Sequence, residues 1–169
     1  MNFTEATKTC FSKYITFSGR ASRSEFWYFT LFIIVVHKIL FEILLLVPNA
    51  DFVKISSPLL FYLMNVPFLA VLARRFHDTN RSMIKGFVAY IGLVIGLVVF
   101  TMTIFLLPWL GVLDFSARFY VNLILIAAPL SGISVLGGGV YLPYVLCSSG
   151  TCGPNRFGAD PLANNLPAA

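Results

Sequence analysis

Arg74-Arg75-Phe76-His77-Asp78-Thr79-Asn80-Arg81 is the stretch around which this chain is organised. It concentrates Arg74, Arg75, His77 and Asp78, with Arg81 just beyond, between two long apolar runs. The 169-residue chain is 58% hydrophobic and 11% charged, with a mean hydropathy of +0.85. A soluble domain carries roughly 25% charged residues, so this chain has too little polar surface to cover a water-facing globule. The reading is an all-α integral membrane protein with about four transmembrane helices in a small bundle. A short amphipathic N-terminal helix precedes them, and the 74–81 loop turns at one membrane face. Gly19 to Glu25 and Gly153 to Pro161 are the other two deliberate polar stretches, and both belong on that same side.

Working outward, the spans fall at about 26–47, 55–73, 86–107 and 119–139, each long enough for a hydrocarbon core of roughly 30 Å. They form one membrane domain over 1–161, followed by a loose tail over 162–169. Before them, Phe3, Ala6, Cys10, Phe11, Tyr14 and Phe17 fall near helical spacing, which suits a helix lying in the headgroup region or packed on the bundle. Gly19 is placed to end that helix. Ser22 and Glu25 have capping-box spacing at the start of the first span.

Inside the first span sit His37, Lys38 and Glu42. A lone charge at mid-bilayer costs at least roughly 2.5–3.5 kcal/mol, and Lys38 and Glu42, four apart, share a helix face and can pair. Pro48 to Ser57 reads as a loop. In the second span Pro67 cannot donate to the Leu63 carbonyl, which predicts a kink, with Asn65 close enough to serve the freed group. Gly92 and Gly96 form a small-xxx-small pair that admits another helix, from this chain or from a second copy in a homo-oligomer. The apolar region 119–147 is too long for one straight crossing. The expected solution is a helix that stops at Gly137-Gly138-Gly139, and a broken helix is the alternative.

Charge placement orients the chain. Lys8, Lys13, Arg20, Arg23, Arg74, Arg75, Arg81, Lys85 and Arg156 fall on one side, Lys54 and Arg118 on the other, and Lys38 within the membrane. The positive-inside rule then expects both termini and the 74–85 loop in the cytoplasm. With cations flanking apolar runs, the net charge of +5 reads as topology and anionic lipid rather than nucleic acid. The first apolar run reads as an uncleaved anchor. Cys10, Cys147 and Cys152 give no disulfide framework.

Taken in order, the polar stretches are Gly19-Arg20-Ala21-Ser22-Arg23-Ser24-Glu25-Phe26-Trp27, Arg74-Arg75-Phe76-His77-Asp78 and Gly153-Pro154-Asn155-Arg156-Phe157-Gly158-Ala159-Asp160-Pro161. This series resembles the bacterial inner-membrane family catalogued as domain of unknown function 805. That family's hallmarks are a G-R-x-S-R-x-E-[FY]-W opening, an R-R-[LF]-H-D loop and an N-R-[FY]-G-x-D-P tail. The chain departs from it at Asn80-Arg81-Ser82-Met83-Ile84, where the family usually reads G-R-S-G-W. Asn80 remains suited to a left-handed turn. The resemblance implies a small multi-pass inner (plasma) membrane protein and carries no activity with it.

The polar cluster is expected to gather Arg20, Arg23, Glu25, Arg74, Arg75, His77, Asp78, Arg81, Asn155, Arg156 and Asp160. Its six arginines outnumber Glu25, Asp78 and Asp160, and guanidinium groups grip phosphate bidentately. The first functional reading is therefore a module for anionic lipid headgroups or a phosphorylated small molecule. A purely structural network of the same residues competes with it. The second reading is a small ion or solute transporter that uses the Lys38/Glu42 pair and the kinked second helix. No enzyme is expected, because His77 and the adjacent Asp78 point apart on a helix and no nucleophile is paired with a base. No metal site and no cofactor are expected either.

Overall fold

Asn2 begins the fold. Its side chain accepts from the Glu5 amide at 2.9 Å while the Glu5 carboxylate accepts from the Asn2 amide at 3.0 Å, a complete capping box for α1, Phe3–Ser12. The computed structural model describes residues 1–46, 51–102 and 117–163, with side chains except at 44, 45, 51–58, 60, 61 and 117–124. Among the described residues it is all-helical: α1 is followed by α2 (Arg23–Leu46), α3 (Asp51–Asp78), α4 (Met83–Thr101) and α5 (Ala117–Cys147). Three of these, α2, α4 and α5, are long and apolar enough to cross a membrane. The fourth expected span lies within α3, whose 28 residues exceed the length a crossing requires. Two compact units result, residues 1–83 with 148–169, and residues 84–147.

In the first unit, α1 lies on α2 and α3. Ala6 and Cys10 are fully buried, and Phe11 meets Phe29 and Phe32 edge-on at 5.6 Å. Of the two settings expected for the N-terminal helix, packing on the bundle is thus the one observed. The core continues through Phe26, Phe29 and Ile33 of α2 to the buried run from Ala70 to Phe76 of α3. Gly19 does not end α1, which stops at Lys13. Instead Gly19 sits in the connecting turn with φ +87°, a backbone conformation that only glycine adopts freely.

One further expectation is corrected in this unit. Of the loop expected over 48–57, residues 51–57 are helical, and 48–50 lie outside the described residues. The Leu63 carbonyl freed by Pro67 accepts from the Tyr14 hydroxyl, which lies in the turn after α1. Tyr14→Phe is expected to cost about 1 kcal/mol through this lost bond, read as a lower midpoint in a detergent melt.

The second unit pairs α4 with α5. A Cβ on Gly96 would lie 2.8 Å from Ser134 Cβ, and one on Gly138 would lie 2.8 Å from Ala89 O, so the two helices run antiparallel in close contact. Gly96 is thus occupied inside the chain, whereas a Cβ on Gly92 would meet nothing within 4 Å. The glycine run 137–139 does not stop α5, which continues through Pro143 to Cys147. Gly138 serves close helix approach rather than termination, and an apolar setting penalises the unpaired backbone groups that a stop would leave.

Candidate functional site

At the end of α3 the backbone turns on Asn80, which has φ 57°. The Asn80 amide donates to His77 O at 3.0 Å and the Arg81 amide to Phe76 O at 2.9 Å, the pattern of a Schellman cap. The expected left-handed turn at Asn80 is therefore present without the family's usual glycine. The two remaining polar stretches close on this cap. From the N-terminal side, the Ala21 amide donates to Arg74 O at 3.1 Å. From the tail, the Thr151 amide donates to Asp78 O at 2.9 Å, and Asn155 Nδ2 donates to His77 O at 3.0 Å and to Thr151 Oγ1 at 2.8 Å.

Within that frame Asp78 is the hub. Its Oδ1 accepts from Arg20 Nε at 2.9 Å and its Oδ2 accepts from Arg75 Nη1. Arg20 spends its other nitrogens on the tail, with Nη1 on Gly153 O at 2.6 Å and Nη2 on Thr151 O at 2.5 Å. Arg75 Nη2 donates to Ser148 O. Next to this hub, Arg74 Nη1 donates to Glu25 Oε1 at 2.6 Å, and the Cys10 thiol donates to the same oxygen at 3.7 Å. Glu25 thus directs Oε1 to Arg74, while its amide donates to Ser22 Oγ at 3.2 Å, the Ser22 half of the expected capping box. Asp160 completes the set, 4.0 Å from Arg20, with its carboxylate accepting from the Gly153 and Leu162 amides at 3.0 and 2.9 Å.

The side chains of Arg20, Arg74 and Arg75 are 1%, 1% and 0% exposed. Three buried guanidinium groups thus face the buried Glu25 and Asp78, and the half-buried Asp160 at the rim brings the formal charges level. The expected surplus of cations lies outside this set. Arg23 and Arg156 are exposed and Arg81 is half-buried. Arg156 Nη2 donates to Asn80 O at 3.1 Å and its guanidinium lies 4.6 Å from the Phe157 ring centre. Phe157 in turn stacks on His77 at 4.0 Å and 6°.

A family model described as "Protein of unknown function (DUF805)" matches residues 14–159. The chain belongs to this family. Among individual proteins, the DUF805 chain is 38% identical over 92 residues to "Inner membrane protein YhaI" of Escherichia coli (strain K12), covering 52% of this chain and 75% of that one. The protein of the same name from Escherichia coli O157:H7 matches to the same extent. No solved structure matches the chain.

Electrostatics follow from burial. Desolvation, with Glu25 beside it, pushes the Cys10 thiol up to about 12, so Cys10 stays protonated and inert. Backbone amides from Leu162 and Gly153, helped by Arg20, hold the Asp160 carboxyl below its ordinary value, so it remains an anion. Burial, and then nearby Arg156, lower His77, against the opposing pull of the Gly19 carbonyl 3.1 Å from Nδ1. A histidine held below its usual 6.5 binds its proton less readily when folded than when unfolded. Stability is then lost as pH falls through 6.5 and below. His77→Gln is expected to flatten the melting midpoint between pH 7.5 and 5.5. An unchanged slope would contradict this.

Sequence reasoning anticipated the arginines and carboxylates but missed Cys10, Thr151, Phe157 and Gly150. Gly150 is the most informative of these, because a Cβ there would lie 2.2 Å from Asp78 Oδ2. Its only signal was a glycine three positions before Gly153. A small cleft of about 160 Å³ opens beside the hub, rimmed by Arg20, Arg23, Asp78 and Asp160. Cys147 and Cys152 are exposed, and among the described residues no cluster of His, Cys, Asp and Glu is placed to hold a metal ion.

Proposed function

We propose that this chain is a non-enzymatic, multi-pass inner-membrane protein whose polar cluster is a structural clamp bearing an outer surface for anionic lipid headgroups. Both termini and the turn between α3 and α4 lie on the cytoplasmic side. The observation that carries this reading is the inward turn of Arg20, Arg74 and Arg75, each spent on a carboxylate or a backbone carbonyl. A convergent pocket for a phosphorylated small molecule would need those groups free. The cleft beside them offers two arginines offset by two carboxylates. The outward cations of the same unit, Lys8, Lys13, Arg23 and Arg156, are exposed and suit headgroup phosphates. Each such cation near an anionic surface contributes roughly 1 kcal/mol.

Native mass spectrometry from mild detergent tests this reading. Wild type is expected to carry anionic phospholipid, and a variant with Lys8, Lys13, Arg23 and Arg156 all changed to alanine is expected to lose most of it. Equal lipid on both, or a discrete soluble phosphorylated molecule on wild type, would overturn the reading. Orientation is tested separately with an impermeant thiol reagent. Cys10 is buried, so exposed Cys152 is the reporter. Its labelling in intact cells would place the tail on the wrong side.

A further inference from the structure

Residues 153–160 form a small loop tied at its base, where the Gly153 amide donates to Asp160 Oδ2 at 3.0 Å. At the tip, Asn155 and Gly158 each donate an amide to the other's carbonyl at 3.0 Å, and Gly158 closes the turn with φ 139°. The base belongs to the charged hub, since Asp160 and the Gly153 carbonyl both face Arg20. The tip is held by the α3 cap instead. Asn155 Nδ2 donates to His77 O, Arg156 Nη2 donates to Asn80 O, and Phe157 stacks on His77.

That stack is the part that responds to a proton. The two rings are 4.0 Å apart and 6° from parallel, so the imidazole covers one face of Phe157. The Arg156 guanidinium, 4.6 Å from the ring centre, therefore lies over the other face. Phe157 stands between a fixed cation and a titratable group. His77 is 7% exposed, so a proton added there is a buried charge. The N-terminal segment presents the Gly19 carbonyl to Nδ1 at 3.1 Å, and Arg20 beside it turns to Asp78. On α3 itself Asp78 is committed to Arg20 and Arg75, and Arg81 beyond the cap is one more cation.

We infer that this stack is a pH-operated latch: protonation of His77 releases the loop tip 154–159 from the α3 cap while the hub at the loop's base stays closed. Both faces of Phe157 then meet a cation, and release lets His77 reach water. Opening breaks only the contacts of the tip, a local event of the kind that costs far less than unfolding. At the base Asp160, held below its ordinary value, stays an anion throughout. The titration of His77 has the matching sign. Burial and then Arg156 hold it below 6.5, so the closed latch binds a proton less readily than the open one. Closure is fully favoured above 6.5 and is lost as pH falls below it. A fall in pH at this face is thereby turned into a change of the clamp's outer surface. The latch stands independently of the headgroup reading, although it moves Arg156, one of the cations in that reading.

A nitroxide on Ala159→Cys, read by EPR in a chain with Cys147 and Cys152 changed to serine, tests the inference. Cys10 is buried and stays unlabelled. The probe is expected to be ordered at pH 7.5, with a mobile fraction that rises at least about fivefold by pH 5.5. The midpoint is expected to coincide with the His77 imidazole titration, followed by nitrogen NMR and assigned with His77→Gln. The other histidine, His37, lies beside the Lys38–Glu42 pair, whose Nζ and Oε1 are 2.5 Å apart inside the crossing Arg23–Ile43. In His77→Gln the nitroxide spectrum is expected to be independent of pH. The same label on native Cys152, which lines the cleft beside the hub, is expected to keep a constant spectrum over this range. No gain in mobility at pH 5.5 overturns the inference, as does a midpoint away from the His77 titration. A response that persists in His77→Gln overturns it as well. So does one that appears equally at Cys152, because the whole clamp would then be opening.

Discussion

Asp78→Ala is expected to cost about 3–5 kcal/mol of unfolding free energy, the largest single effect in this chain. Removing one partner of a buried ion pair leaves an uncompensated charge, and the penalty comes from that stranded charge. Asp78 neutralises two buried arginines at once, Arg20 through Oδ1 and Arg75 through Oδ2. Neither guanidinium reaches water without moving, since both side chains are at most 1% exposed. The loss is a large share of a total stability of roughly 5–15 kcal/mol. It is read as a shifted melting midpoint, or as proteolysis of the tail from Ser148 onward, in detergent. A loss under about 1 kcal/mol would mean that the arginines find other partners, and the clamp would no longer explain the fold.

Gly150→Ala is expected to follow, at about 1–3 kcal/mol and toward the upper end. The new methyl would lie 2.2 Å from Oδ2, 2.7 Å from Cγ and 2.8 Å from Oδ1 of Asp78. A flexible carboxylate on the surface would swing away at little cost. This one is held from both sides by arginines, and the next residue is tied by the Thr151 amide to Asp78 O. The methyl therefore breaks an ion pair or lifts the tail. Comparison with Gly92→Ala gives the control, because a Cβ at Gly92 meets nothing within 4 Å. Equal midpoints for the two variants would refute the packing argument.

The helices were legible because their apolar runs are long and the polar stretches between them short. The meeting of three distant stretches was legible too, since charge placement put 19–25, 74–81 and 153–161 at one membrane face. The direction in which the arginines point was not. A count of six arginines against three carboxylates suggests a cationic surface. Whether a guanidinium turns in or out depends on carbonyls such as those of Ser148, Thr151 and Gly153, which no side-chain pattern announces. Tyr14 as the partner of the Leu63 carbonyl was hidden for the same reason, being distant in sequence. The glycines at 137–139 were misread as a stop because a glycine that lets helices approach and one that ends a helix look alike without the neighbouring helix. Residues 51–57 were misread as loop because a helical segment that carries Asp51, Lys54, Ser56 and Ser57 resembles a polar loop in sequence.

A double-mutant cycle on Arg20→Ala and Asp78→Ala tests the closed clamp most directly. The account predicts that the double variant loses little more stability than Asp78→Ala alone, giving a coupling of at least about 1.5 kcal/mol between two residues in contact. Additive losses, with a coupling near zero, would mean that the N-terminal segment and the end of α3 do not meet through these charges, and the central claim would fall.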